Sequence, residues 1–80
     1  MGYAMKKYKN LRGNSSVLSY ESGIDYIHVV FCKGEFRNYL YDSGVPGKFH
    51  VDRMKVLAER GSGLGSYIST TVKSRYARKW

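Results

Sequence analysis

The segment IDYIHVVF, residues 24–31, limits the possible folds of this chain more than any other stretch. It is rich in β-branched and aromatic residues, so it predicts a strand. Lys33 and Gly34 follow, and a glycine tolerates the positive φ of a two-residue hairpin turn. A further strand is expected over residues 35–41, and SVLSY, residues 16–20, is a shorter strand candidate. The sequence therefore predicts an antiparallel sheet of about three strands.

The predicted turn would also set the strand register. If Lys33 and Gly34 are the turn residues, Cys32 pairs with Glu35 and Val29 lies opposite Asn38. One face of the hairpin is then a core face, on which Asn38 is the misfit. The other face carries Arg37, Tyr39 and Tyr41. Two interpretations of these tyrosines stay open. They form a surface that binds a partner, or they pack in the core between the sheet and the helices.

Two helices are expected after the strands. Pro46 suits the first turn of a helix that runs to about Arg60, before Gly61. Its apolar stripe is Val51, Met54, Leu57 and Ala58. The last segment has apolar residues at four-residue intervals, which predicts a second helix with the stripe Leu64, Ile68, Val72, Tyr76 and Trp80. A strand is the alternative there, because YISTTV is β-branched and alternates.

The length of 80 residues leaves room for one domain with a small core. We expect an α+β fold, in which the two C-terminal helices pack on the sheet. Residues 1–14 contain basic residues, no acidic residue and no apolar periodicity, which predicts a flexible basic arm. Residues 15–80 would then form the single folded domain.

Charge is the strongest indication of a partner. The formal net charge is +8, and it is concentrated near the two ends, in Lys6, Lys7, Lys9 and Arg12 and in Lys73, Arg75, Arg78 and Lys79. Such segregation favours a polyanionic partner. The chain lacks an apolar run long enough to span a membrane and the apolar middle of a signal peptide, so we expect a cytoplasmic protein without membrane association.

Catalytic and metal-binding residues are scarce. Cys32 is the one cysteine, and His28 and His50 are the two histidines, which excludes an internal disulfide and a conventional zinc site. Neither histidine has a nucleophile or a carboxylate pair at a defensible spacing. We expect a protein that is not an enzyme and uses no cofactor.

From about Ser15 to Tyr76 the chain resembles the KTSC domain family, which is named for the C-terminus of some lysyl-tRNA synthetases and also occurs as small bacterial proteins. The resemblance rests on the following residues: Ser15, Ser16, Phe31, Gly34, Tyr39-Leu40-Tyr41, Val45-Pro46, Leu57, Ala58, Gly65-Ser66-Tyr67, Val72 and Tyr76. It implies these domain boundaries and an RNA-binding role without a known activity.

We therefore expect a small non-catalytic nucleic-acid-binding module, for RNA more than DNA. The predicted contacts are Arg37, Tyr39, Tyr41, Lys73, Arg75, Arg78 and Lys79. The glycine turn with Gly63, Gly65 and Ser66 is either a flexible connection or an anion site. The alternative function is a protein-interaction module, for example a phage or accessory factor that binds an acidic site on a partner protein.

Overall fold

The computed structural model describes residues 5–80, and the predicted α+β class is confirmed in them. Five antiparallel strands form one sheet in chain order, and helix α1 packs on it. The strands are β1 (Lys6–Lys7), β2 (Val17–Ser22), β3 (Tyr26–Phe31), β4 (Asn38–Asp42) and β5 (Arg78–Lys79), and the helices are α1 (Lys48–Arg60) and α2 (Leu64–Tyr67), which continues as a π-helical turn over Ile68–Val72. The sheet thus gains two short edge strands beyond the three predicted.

Helix α1 forms as its apolar stripe predicts. Its buried residues are Val51, Met54, Leu57 and Ala58, and they join Ile27, Val29 and Tyr41 of the sheet in one core. Gly61 ends the helix in the left-handed conformation, and its N–H donates to the carbonyls of Leu57 and Ala58 at 3.0 and 3.2 Å.

The predicted hairpin register is wrong by one residue. Val29 pairs with Tyr39 and Ile27 with Tyr41, and the Phe31 N–H donates to the Arg37 carbonyl at 2.8 Å. The loop is therefore residues 32–36 rather than Lys33 and Gly34 alone. A one-residue shift moves every side chain to the other face. It removes Asn38 from the core and adds the large Tyr41 ring, which explains why the longer loop is favoured.

Part of the predicted N-terminal arm belongs to the fold, so the boundary at residue 15 is also wrong. Lys6 and Lys7 pair with Tyr20 and Ser19 of β2, and Tyr8 is a core residue with 2% exposure. The Leu11 N–H donates to the Gly61 carbonyl at 2.8 Å. A small core benefits from one more buried aromatic ring, which favours docking of this segment. Residues 1–4 of the predicted arm lie outside the described residues.

The second predicted helix ends before the last two residues of its predicted apolar stripe. Leu64, Ile68 and Val72 are buried as the pattern indicates, but the helix ends there and Lys73 has φ 50. The chain then turns back to β4, where the N–H groups of Ala77 and Trp80 donate to the carbonyls of Leu40 and Asn38 at 2.7 and 2.9 Å. Tyr76 and Trp80 are thus not helical. Pairing of the polar backbone along the edge of β4 outweighs continuation of the helix.

No helix within residues 5–80 is both long enough and apolar enough to cross a membrane.

Candidate nucleic-acid interface

The two tyrosines of the predicted stacking surface lie on the core face of the sheet. Tyr41 is 1% exposed, so its ring offers no face to a partner, and that part of the prediction is wrong. Burial raises the pKa of the Tyr41 hydroxyl far above its usual value. Tyr39 is half-buried, and its ring contacts those of Phe31 and Tyr76 edge-on, with centroids 5.3 and 5.1 Å apart. Arg37 is exposed and lies directly before β4.

Strand alternation places a different set of side chains on the other side of the sheet. The helices pack on the core face, so this second face stays half-buried or exposed. We call it the open face, and its members on β3, on β4 and in the C-terminal residues are Tyr26, His28, Val30, Asn38, Leu40, Arg78 and Trp80. Of the predicted contacts, Arg78 alone lies among them.

Trp80 is held in place on the open face by three neighbours. Its ring lies 5.0 Å from the His28 ring, and the Arg78 guanidinium carbon lies 5.0 Å from the Trp80 ring centroid. His28 Nε2 lies 2.9 Å from Asn38 Oδ1, and Asn38 Nδ2 donates to the Trp80 carbonyl at 3.3 Å. Trp80 is still 45% exposed. An exposed, positioned indole beside a guanidinium is suited to stacking on a base and binding the adjacent phosphate.

The other predicted cations of the C-terminal segment lie elsewhere, because this segment is not a helix. Arg75 Nη2 donates to the Thr71 carbonyl at 3.1 Å, at the end of the π-helical turn. Lys79 lies on the core side of β5, with its Nζ 4.7 Å from the Phe36 ring centroid and 5.4 Å from that of Tyr76. A hydrogen bond to Tyr76 raises the pKa of Lys79.

A groove with a volume of about 530 Å³ lies beside Tyr39, between the loop 32–36 and the segment 73–76. We call it the aromatic groove, and the residues that matter here are Phe31, Phe36, Tyr39, Tyr76, Lys33 and Lys73. Three predicted contacts, Tyr39, Lys73 and the almost fully buried Tyr41, thus line this groove.

The residues of the glycine turn do come together, in a polar cleft of about 330 Å³. Gly63, Gly65 and Ser66 line it from one side, and Arg12 and Ser15 line it from the N-terminal segment. Ser15 Oγ accepts a hydrogen bond from the Val17 N–H at 3.1 Å. The cleft explains why the turn is small and polar, and an anion site there stays a prediction.

The outer side of α1 presents a third exposed surface. Phe49 is 77% exposed and Val56 is 49% exposed, and Arg53 and Arg60 are exposed on the same helix. Residues 49, 53, 56 and 60 lie on one helical face. This face is apolar and basic, which suits an acidic protein partner better than a strand of bases.

Trp80 and His28 were not predicted as site residues. In the predicted register His28 would lie opposite Tyr39, whereas it lies opposite Leu40, and Trp80 was predicted to lie on a helix. Asn38 is the one residue that could have indicated their true positions. A polar residue on a predicted core face indicates that the predicted strand register is wrong. The alternation of Arg78, Lys79 and Trp80 is typical of a strand, but three residues are too few for a reliable prediction.

No group of three His, Cys, Asp or Glu side chains within the described part of the chain is placed to hold a metal ion. In comparisons with known proteins, no family model, no curated protein and no solved structure matches this chain.

Proposed function

We propose that this chain is a non-catalytic module that binds single-stranded nucleic acid, RNA in preference to DNA, on the open face. The observation that carries the proposal is the Trp80 ring, which is 45% exposed and contacts both His28 and Arg78 on a sheet face that the helices leave uncovered. Unstacked bases bind to aromatic rings in this way, and sheet faces are a common platform for single-stranded RNA. Membership of the KTSC family, which the residue pattern suggests, is consistent with this function.

The register places basic residues at both edges of the open face. Lys7 pairs with Ser19, Ser19 with Val30 and Val30 with Asn38, so Lys7 lies at the β1 edge of the row that ends at Trp80. Neighbouring strands are about 4.8 Å apart, so the two edges of the five-stranded sheet are separated by roughly 19 Å. A strand of nucleic acid that crosses the sheet would meet Lys7 at one edge and Arg78 at the other.

Two acidic side chains of this face, Glu21 and Asp42, are hydrogen-bonded within the protein. Glu21 accepts a hydrogen bond from the Tyr26 hydroxyl at 3.0 Å, and Asp42 Oδ1 accepts from the N–H groups of Gly44 and Val45 at 3.0 and 2.9 Å. The net charge of +8 leaves the molecule as a whole attractive to phosphates.

The test uses Trp80, which is the one tryptophan of the chain. Titration with a short single-stranded RNA should quench its fluorescence, and duplex RNA should quench it less. Trp80→Ala should weaken binding by about 1–3 kcal/mol at every salt concentration, as measured by the anisotropy of labelled RNA. Trp80→Phe should restore much of the loss, because it keeps a ring for stacking.

The matched control is Phe49→Ala, which removes an exposed ring from the outer side of α1. Unchanged affinity in Trp80→Ala, together with no quenching in the wild type, would refute the proposed site. If Phe49→Ala instead abolished an interaction that survives nuclease treatment, the acidic protein partner would be the better function, because Phe49 lies on the apolar and basic face of α1.

A further inference from the structure

The aromatic groove has the size and the chemistry of a ligand site. Its volume of about 530 Å³ falls within the range of roughly 300–1,000 Å³ that small-molecule sites occupy. Tyr39 is the central ring, and it contacts Phe31 on one side and Tyr76 on the other. Phe36 is 40% exposed at the rim. A groove walled by flat rings fits a flat, aromatic ligand.

The charges around the groove favour a ligand that is also anionic. Lys33 and Lys73 line it, and the amine of Lys79 lies over the Phe36 and Tyr76 rings. Glu35 is the one acidic residue among the lining residues. An acidic peptide would match the lysines but would leave the rings without a flat partner. A nucleobase with its phosphate matches both.

The groove adjoins the open face along one strand. In β5 and the residue that follows it, Arg78 and Trp80 lie on the open face, and Lys79 points to the opposite side, toward the groove. A nucleic-acid strand that stacks on Trp80 therefore reaches the groove by passing over this edge of the sheet.

We propose that the aromatic groove binds one unstacked nucleobase of the same single strand that stacks on Trp80, with Lys33 and Lys73 at its phosphate. This inference rests on the proposed function and adds a second base site, in an open groove beside the sheet edge. On the open face any base can stack on Trp80. In the groove, the shape of the walls restricts which bases fit.

The test measures the affinity of the full chain for a labelled single-stranded RNA by anisotropy. Phe36→Ala should lower affinity by roughly 5- to 150-fold, which is the usual loss for one stacked base. Phe49→Ala, the same change at a ring outside the groove, should leave affinity unchanged. Lys73→Ala should weaken binding more at low salt than at high salt, and Lys6→Ala is its matched control.

A second arm identifies the base that enters the groove. An abasic residue is moved along the RNA, and each RNA is measured against the wild type and Phe36→Ala. At one position, the loss caused by Phe36→Ala should vanish, because the base that contacts the ring is missing. Melting temperatures of both variants establish that they are folded.

The outcomes separate the two proposals. If Trp80→Ala weakens binding and Phe36→Ala does not, the groove site is wrong and the open face stands. If single-stranded RNA neither binds nor quenches Trp80, both are wrong. If a polyglutamate peptide binds the wild type as tightly as the RNA and loses the same affinity in Phe36→Ala, the groove is a peptide site, which also overturns the inference.

Discussion

Tyr41 is a residue whose burial bears both on stability and on which face of the sheet can be the candidate site. Its ring lies in the core on the face covered by α1, and burial is the main reason that its pKa is raised, with repulsion from Tyr39 and Tyr76 as a further cause. In the unfolded chain a tyrosine ionises near pH 10. Folding therefore favours the neutral phenol.

This shift predicts that stability falls at alkaline pH. Below about pH 10 the Tyr41 hydroxyl keeps its proton in both the folded and the unfolded state, so its contribution to stability is fully present. Above that pH the unfolded state loses the proton first. The free energy of unfolding then falls by up to about 1.4 kcal/mol per pH unit. Urea unfolding of the wild type and of Tyr41→Phe at pH 9, 10 and 11 checks this. The wild type should lose more stability than Tyr41→Phe over this range. Parallel losses would contradict it. Tyr20, whose pKa burial also raises, is present in both proteins, so the difference isolates Tyr41.

For single residues, the sequence predicts burial well where the apolar residues follow one clear helical period. All four stripe residues of α1 were predicted and are buried. Tyr39 and Tyr41 could not be placed in the same way. Alternation fixes that they share a face, but the loop length decides which face that is.

Among the elements, the junction between the N-terminal segment and the end of α1 was least visible in the sequence. Gly61 has φ 83, and a Cβ atom at this position would lie 2.7 Å from Lys9 Cβ. The Gly61 carbonyl also accepts the Leu11 N–H. The end of α1 thus holds the segment that carries Tyr8 into the core.

Gly61→Ala should therefore destabilise the fold through both backbone strain and this contact. A left-handed alanine costs roughly 1–2 kcal/mol, and crowding adds about 1–3 kcal/mol. Gly13→Ala is the matched control, because Gly13 has φ 78 with nothing within 4 Å of a Cβ. Chemical denaturation should show the larger loss in Gly61→Ala. Equal losses would mean that the Lys9 contact adds nothing.

The elements themselves were predicted in part. The central strands and α1 carry strong patterns in the sequence, and they appear close to the predicted positions. The edge strands β1 and β5 have two residues each, too short for any periodicity, and they form because the exposed edges of β2 and β4 offer backbone partners. The open face includes residues of β5. The candidate site on it could therefore not be predicted without knowing how β5 pairs with β4.

For the whole molecule, the net charge of +8 predicts that RNA binding depends strongly on salt. Each phosphate neutralised on a single strand contributes a slope of about −0.7 in log affinity against log salt. Arg78→Ala should make the slope shallower by roughly that amount. Arg53→Ala, an exposed arginine on α1, is the matched control. The slope is obtained from the affinity of each protein for RNA, measured between about 50 and about 200 mM salt. An unchanged slope in Arg78→Ala would exclude a phosphate contact there.

The two outermost strands also have a consequence for how copies of the molecule behave at high concentration. A long, flat sheet edge is a template for strand addition from another chain and hence for aggregation. Here both edges are strands of two residues, Lys6–Lys7 and Arg78–Lys79, and every side chain on them is cationic. Edges this short offer few backbone groups, and like charges repel when two edges approach. The basic residues that we propose to lie near phosphate therefore also protect the sheet from association with itself.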